Sequence, residues 1–348
     1  MKKKIFISLI IAFSFMLAGL SSCNSNILQN NTSKPNSIGT TAEVLVILQN
    51  DGQWSDSIGI NIRKYFQASI YGLPQSEPTF KLLHIDKNNF NNLFQTQRDI
   101  FMVNIDPKVK DPKIEIQKDV WAFPQTVITL TAPSEQSFVD VFKDRHDLFI
   151  ERFMKSERKV IQDIFRSAMN WKVMSRIQGE FGFTMIVPEG FYVAKEHPGF
   201  MWVRYESNYY SQGFIIISQP YVDTAQFSRE SILTRIENNQ MKFIPGPSEG
   251  SYMAIDRKFL IPEYTPIYDF PRPYAVKVDG LWKVEKDFMG GPFVSYTFTD
   301  PKSKNIITLF GYVYYPNHPK RDLMLQVESI LYSVDYSGKP LKKAEKKH

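Results

Sequence analysis

Cysteine is almost missing: Cys23 is the only one in 348 residues. No intramolecular disulfide can therefore form, and no metal site built from several thiolates can be assembled. Histidine is scarce as well. His84, His146, His197, His318 and His348 are never two to five residues apart and never form H-E-x-x-H, so no metal-binding motif can be read. A dense basic face is also lacking. The net charge of +6 is mild, and part of it sits at the ends, in Lys2, Lys3 and Lys4 and in Lys342, Lys343, Lys346 and Lys347, which excludes a nucleic-acid footprint. Nucleophile signatures reduce to Gly246-Pro247-Ser248-Glu249-Gly250. A nucleophile elbow needs a strand before the serine and a helix after it. Here a helical pattern precedes and a strand pattern follows, with Pro245 and Pro247 in the turn, so a loop is expected. No catalytic residue, metal ligand or cofactor is assigned.

What is present is a packed protein behind a leader. Hydrophobic residues make up 43% and aromatics 14% of the chain, ample for a core, and the length predicts two domains. Lys2 to Lys4 are followed by an apolar run from Ile5 to Leu20. That run is shorter than the about 20 residues a bilayer span needs, and its flanks are those of a secretory signal. Leu20-Ser21-Ser22-Cys23 closes it and resembles a lipobox, the signature of bacterial lipoproteins. The resemblance implies a leader over residues 1–22 and lipid attachment at Cys23. It also implies stable anchoring, since several acyl chains hold a protein where one does not. Acylation would leave no free thiol for catalysis or redox chemistry. Asn24 follows the cysteine with no acidic run behind it. By the same resemblance, that points to the outer membrane, on its periplasmic side.

Residues 24–41 are rich in Asn, Ser and Thr and read as a tether reaching about 25 Å on average. The first domain is expected over 42–177. Ala42 to Leu48 is a buried strand, and Asn50-Asp51-Gly52 a turn. A helix from Ser55 to about Tyr71 carries Ile58, Ile62, Phe66 and Ile70 on one stripe. Strands are expected at Phe80–Ile85, Ile100–Ile105, Val120–Phe123 and Thr126–Thr131, with a short helix over Asn88–Gln95. Pro133-Ser134 opens a long helical pattern to about Ile177, continuous or broken near Ser156, that joins the two halves. The second domain is expected over 178–336, with a basic tail over 337–348. It opens with alternation over Phe183–Val187 and continues with strands at Met201–Tyr205 and Phe214–Ser218. A helix over Ser228–Ile244 precedes strands at Ser251–Phe259, Leu281–Phe288, Phe293–Phe298 and Ile306–Tyr314, and a helix from Arg321 closes it. The fold class is α+β to α/β: two sandwich-like domains, each a mainly antiparallel or mixed sheet with helices packed on it, joined by a long helical segment.

The strand running into Val187-Pro188-Glu189-Gly190-Phe191, with the closing Glu328 to Val334 helix, resembles the photosystem-P-subunit/Mog1-type α/β/α sandwich. That likeness carries no function. Lipobox, Asn-rich tether, the Gly179 to Pro188 stretch and Tyr312-Val313-Tyr314-Tyr315-Pro316 together resemble an uncharacterised lipoprotein family of the Bacteroidota, a domain of unknown function. The family assigns no catalytic residues that could be carried over.

Ile261 to Tyr274 holds four prolines and four aromatics, which excludes a helix or a central strand. Tyr264, Tyr268, Phe270, Arg272 and Tyr274 read as a preorganised contact surface for a peptide, a glycan or an envelope protein. The alternative is a connection held down by its own aromatics. Tyr205, Tyr209 and Tyr210 form a second aromatic loop that could share that surface. His84 is expected to pair with Asp86. Asp56-Ser57-Ile58 and Asp223-Thr224-Ala225 resemble the O-glycosylation acceptor of the same phylum. The leading expectation is a non-enzymatic envelope lipoprotein acting as a binding module. The alternatives are a hydrolase of glycan or peptide using carboxylates such as Asp269, Glu285 or Asp287, and a structural spacer.

Overall fold

A computed structural model of the chain describes residues 34–338. The leader, Cys23 and the basic tail from Lys342 lie outside the described residues. From Asn36 onward the chain clusters as one unit, in which two sheets share one long helix.

The first sheet contains β1 (Glu43–Leu48), β2 (Lys81–Asp86), β3 (Asp99–Ile105), β4 (Lys113–Lys118) and β5 (Thr126–Ala132). They lie in the order β2-β1-β3-β5-β4, and all pairs are parallel except β4 with β5. Two helices cover one face, α1 (Ser57–Phe66) and α2 (Glu135–Ser167). The core between them is aromatic: Phe66, Phe80, Phe101, Phe138, Phe142, Phe149 and Phe153 are all fully buried. Their rings meet at 5–6.5 Å, several edge to face, as between Phe66 and Phe101 at 5.4 Å and 82°. Each such side chain contributes up to about 3 kcal/mol through burial.

Several sequence expectations are corrected here. The tether ends sooner than Thr41, since Asn36 and Ile38 already bridge to Phe123 and Gln97. Helix α1 stops at Phe66, not near Tyr71, because the chain doubles back and Ile70 donates its N–H to the Glu77 carbonyl. The strand expected at Val120–Phe123 is a loop, and the partner of β5 is Lys113–Lys118. That segment reads KIEIQK, an edge strand whose charges protect it from further pairing and also hide it in the sequence. The long helical pattern breaks at Ala168–Asn170, not at Ser156. Asn170 caps α3 (Trp171–Phe181) by accepting from the Val173 N–H at 3.1 Å.

The second sheet is antiparallel. It comprises β6 (Tyr192–His197), β7 (Phe200–Glu206), β8 (Ser211–Pro220), β9 (Tyr252–Asp256), β10 (Glu263–Ile267), β11 (Ala275–Glu285), β12 (Gly290–Thr299) and β13 (Asn305–Tyr314). The order is β10-β11-β12-β13-β8-β7-β6, with β9 also on β11. Both faces are covered. Helix α4 (Arg229–Phe243) packs with Phe200, Trp202, Ile215 and Phe310 on one face, and α3 and α5 (Arg321–Leu331) with Ile216, Tyr296 and Leu309 on the other. Helix α5 lies so close to β13 that a Cβ on Gly311 would stand 2.4 Å from a Val327 methyl, so only glycine fits there. Phe183 to Val187 is not a strand. It runs buried across the α5 side of the sheet, and Ile186 donates its N–H to the Ser333 hydroxyl at 2.8 Å. The alternation of Phe183, Met185 and Val187 reports contact with that core, with a single bridge from Thr184 to Asp335 in place of a ladder.

Helix α2 is about 50 Å long and serves both sheets. Its N-terminal half carries the phenylalanine core. In its C-terminal half Glu157, 1% exposed, binds Arg98 at 2.8 Å, while Gln162 reaches over to the Ser329 carbonyl of α5 at 2.9 Å. A second tie runs the other way. The Glu77 carboxylate accepts the N–H groups of Lys320 and Arg321 at 2.7 and 3.0 Å, placing a negative charge on the N-terminus of α5.

Candidate functional site

Between the two sheets lies a cavity of about 630 Å³. Its walls follow from the elements just described. The doubling-back of the chain after α1 supplies Ser69 to Leu73. One face of α2 supplies Asp147, Ile150, Glu151, Met154 and Arg158 at helical spacing, and α5 supplies Met324, Leu325 and Glu328. The floor is the α5-facing side of β10, β11 and β12.

Two charges rise from that floor. Lys277 and Asp279 sit two apart on β11 and so share a face, while Val276 and Val278 point into the opposite core. Lys277 Nζ lies 3.0 Å from Asp279 Oδ1, with the side chains 30% and 15% exposed. Tyr296 stands opposite Lys277 on β12, and its hydroxyl donates to the Glu328 carboxylate. Arg158 closes the group, its guanidinium 4.0 Å over the Tyr332 ring and 3.5 Å from Asp269.

The lining holds six carboxylates (Asp147, Glu151, Glu263, Asp269, Asp279, Glu328) against three cations (Arg158, Lys277, Arg321). Each cation already has an acid, Arg321 being paired with Asp322 at 2.7 Å. Burial comes first and the neighbouring acids second in the titration of the floor. Burial pushes Asp279 up to about 6; Lys277 pulls the other way, and Glu328 and Glu263 add to the rise. Lys277 loses hydration on burial, yet Asp279 and Glu328 hold it above the usual lysine range. Arg158 is likewise raised, its burial outweighed by Glu328, Tyr332, Tyr296 and Asp269. Tyr296 is raised well above the usual tyrosine range by burial and then by Glu328. Tyr332 is raised by burial, against Arg158 and with Glu328. Burial is the first cause for Asp279, Tyr296 and Tyr332, and the Glu328 carboxylate adds to every one of these five rises.

The residues singled out from the sequence are distributed differently. Phe270 is buried, stacked on Tyr296 at 5.0 Å and packed on Tyr332, so it fastens the loop to the core. Arg272 lies 5.5 Å over the Tyr336 ring. Tyr264 forms part of β10, an edge strand that tolerates Pro266. Tyr268, 74% exposed, and Tyr274, 38% exposed, pack together at 5.8 Å on the surface. Tyr209, 77% exposed, and Tyr210 lie in the β7–β8 turn, where Tyr210 packs on Tyr205 and Tyr315. The strand order and register put that turn at the other end of the sheet from Tyr274, so the two aromatic loops do not share a surface.

Of the carboxylates considered for hydrolysis, Asp269 lines the cavity. Glu285 instead pairs with Lys283 at 2.5 Å, and Asp287 accepts from the Ser248 hydroxyl at 3.0 Å. Both sit at the far end of β11, about 30 Å away along the strand, beyond the about 5–9.5 Å of an acid–base pair. Ser248 lies between α4 and β9, the reverse of an elbow. His84 does not pair with Asp86. It stacks on Trp54 at 4.2 Å, and Asp86 accepts from the Asn88 N–H. Ser57 begins α1, and Thr224 lies in a single helical turn before α4.

The sequence reading missed Lys277, Asp279, Glu328 and Arg158. A signal existed: Ala275-Val276-Lys277-Val278-Asp279 places two opposite charges on one face of a strand, with Val276 and Val278 on the other.

Among the described residues no helix is long and apolar enough to cross a membrane, and no group of three or more His, Cys, Asp or Glu is placed to hold a metal ion. Residues 37–166 match one domain of unknown function (DUF8532), and residues 170–333 match another (DUF4837). No curated protein matches the chain. The interval between the two matched segments falls at the break between α2 and α3, and both matches accord with the likeness to an uncharacterised family.

Proposed function

We propose that this chain is an envelope lipoprotein, anchored through Cys23 at the periplasmic side of the outer membrane, that binds a small ligand in the cavity between its sheets without transforming it. The observation that carries the binding role is a sizeable cavity whose lining holds six carboxylates against three cations. Apolar walls from Ile150, Met154 and Leu325 beside an excess of carboxylates suit an amine- or guanidinium-bearing molecule with an apolar portion, such as a basic peptide fragment. Tyr268 and Tyr274, exposed on another part of the second sheet, offer a separate contact for an envelope protein or glycan.

Calorimetric titration tests the reading, using basic dipeptides and alkyl diamines beside matched neutral and acidic compounds. Basic compounds should bind and raise Tm, acidic ones should not, and affinity should fall below about pH 6 as Asp279 takes up its proton. Glu328→Gln should weaken binding by about tenfold, the worth of one charge-assisted hydrogen bond. Equal binding of acidic compounds, or no pH dependence, would overturn it.

A second reading rests on Asp279 itself. A carboxyl titrating near 6 beside Glu328 and Tyr296 has the properties of a general base. Turnover of a peptide or glycan substrate, abolished by Asp279→Asn, would favour that hydrolase reading.

A further inference from the structure

The anchor reading fixes a short leash, and the surface at the root of that leash has a composition of its own. The chain enters the fold at Asn36, which bridges to Phe123, and Ser37 donates its N–H to the Phe123 carbonyl at 3.0 Å. Asn24 to Pro35 can span at most about 40 Å. Whatever lies beside Phe123 is therefore held within reach of the headgroups. Phe123 is 55% exposed and Ile38 is 47% exposed, two apolar side chains on the surface at the entry point.

Next to Phe123 a hollow of about 480 Å³ runs between the β4–β5 connection and α2. Lys118, Arg152, Lys155 and Lys159 line it, against Asp119 and Asp163 at the rim. The three α2 cations fall at helical spacing on one face, and the Lys159 side chain is 67% exposed while it pairs with Asp163 at 3.0 Å. Arg158 and Asp269, deeper in the same hollow, face each other and leave the surface charge to the lysines. A net positive rim around an exposed phenylalanine complements an anionic bilayer surface: the cations meet phosphate, and the ring reaches the interfacial layer.

We infer that this face, Phe123 with Lys118, Lys155 and Lys159, rests on the anionic headgroups of the membrane that holds the anchor. The protein then lies against the bilayer on the β4–α2 side of its first sheet, in place of hanging free on its tether. The inference rests on acylation of Cys23, which is read separately below.

The test uses the acylated protein purified from cell membranes and placed in two kinds of vesicle. One is phosphatidylcholine alone, and the other contains about a third phosphatidylglycerol. A water-soluble amine-acylating reagent is applied, and each lysine is followed by peptide mass spectrometry. Labelling of Lys118, Lys155 and Lys159 should fall about fivefold in the anionic vesicles, the factor one net basic residue is worth at such a surface. Lys242 and Lys258, on the second sheet's α4 and β9 side, should label equally in both. Raising salt to about 0.5 M should restore the labelling. In the Lys155→Glu/Lys159→Glu variant, Lys118 should label equally in both vesicles while the acyl group stays on the protein. Acylated protein whose three lysines label alike in both vesicles overturns this inference and leaves the anchor standing. An N-terminal peptide carrying no acyl mass on Cys23 overturns both.

Discussion

Replacing Asp279 by asparagine should change how the stability of the protein depends on pH, in a direction fixed by the cavity. The carboxyl titrates near 6 in the folded chain against an ordinary value of 3.8. Below about pH 4 it is protonated in folded and unfolded chains alike and contributes no difference. As pH rises from 4 to 6 the unfolded chain releases this proton first. The folded chain therefore binds the extra proton, and stability falls with rising pH. The loss is complete just above 6 and amounts to about 3 kcal/mol. Lys277 is held above its usual range and stays charged throughout, so it adds no slope in this window. The asparagine variant lacks the titration. Urea unfolding of both proteins across pH 4 to 7, followed by fluorescence of the buried Trp202 and Trp282, gives the difference directly. Relative to wild type, the variant should gain about 3 kcal/mol over that range. A flat difference, or one of opposite sign, would mean that attraction to Lys277 matches or outweighs burial, and would refute the raised titration of Asp279.

Two further outcomes concern the shared helix. Phe142→Ala, at a fully buried ring touching Phe66, Phe101, Phe138 and Phe149, should cost about 3–5 kcal/mol in denaturant unfolding. Glu157→Ala should cost about 3–5 kcal/mol, because it strips the carboxylate from Arg98, leaving it the Gly39 carbonyl, and the acceptor from the Ala42 N–H. A crystal structure of that variant should show Arg98 turned toward solvent.

Much of the fold was legible because the elements that carry it are buried. The run at Val44 to Leu48, the stripe of Ile58, Ile62 and Phe66, and the cap at Ser134 each leave a sequence signature that tertiary contacts only confirm. The failures lie where burial and periodicity part company. Lys113–Lys118 and Tyr192–His197 are edge strands, polar by necessity, and neither advertises itself. Phe183 to Val187 shows the opposite, a segment with strand-like alternation that pairs with no ladder. The site was the least visible part. Its members come from β11, α2 and α5, about 50 to 170 residues apart, and nothing short of the register of β11 reveals that Lys277 and Asp279 face Glu328. The aromatic run at Tyr264 to Tyr274 drew the eye by composition, yet Phe270 within it serves packing.

The cavity belongs to neither of the two matched segments: Arg158 stands on one, Asp269 and Tyr332 on the other. A substitution at Arg158 would be felt first across the divide, so drift in either half is answerable to the other. Over generations the two segments should change in step at these positions, and a copy of the gene that lost one of them would keep a foldable remnant at best, with half a wall and nothing to enclose.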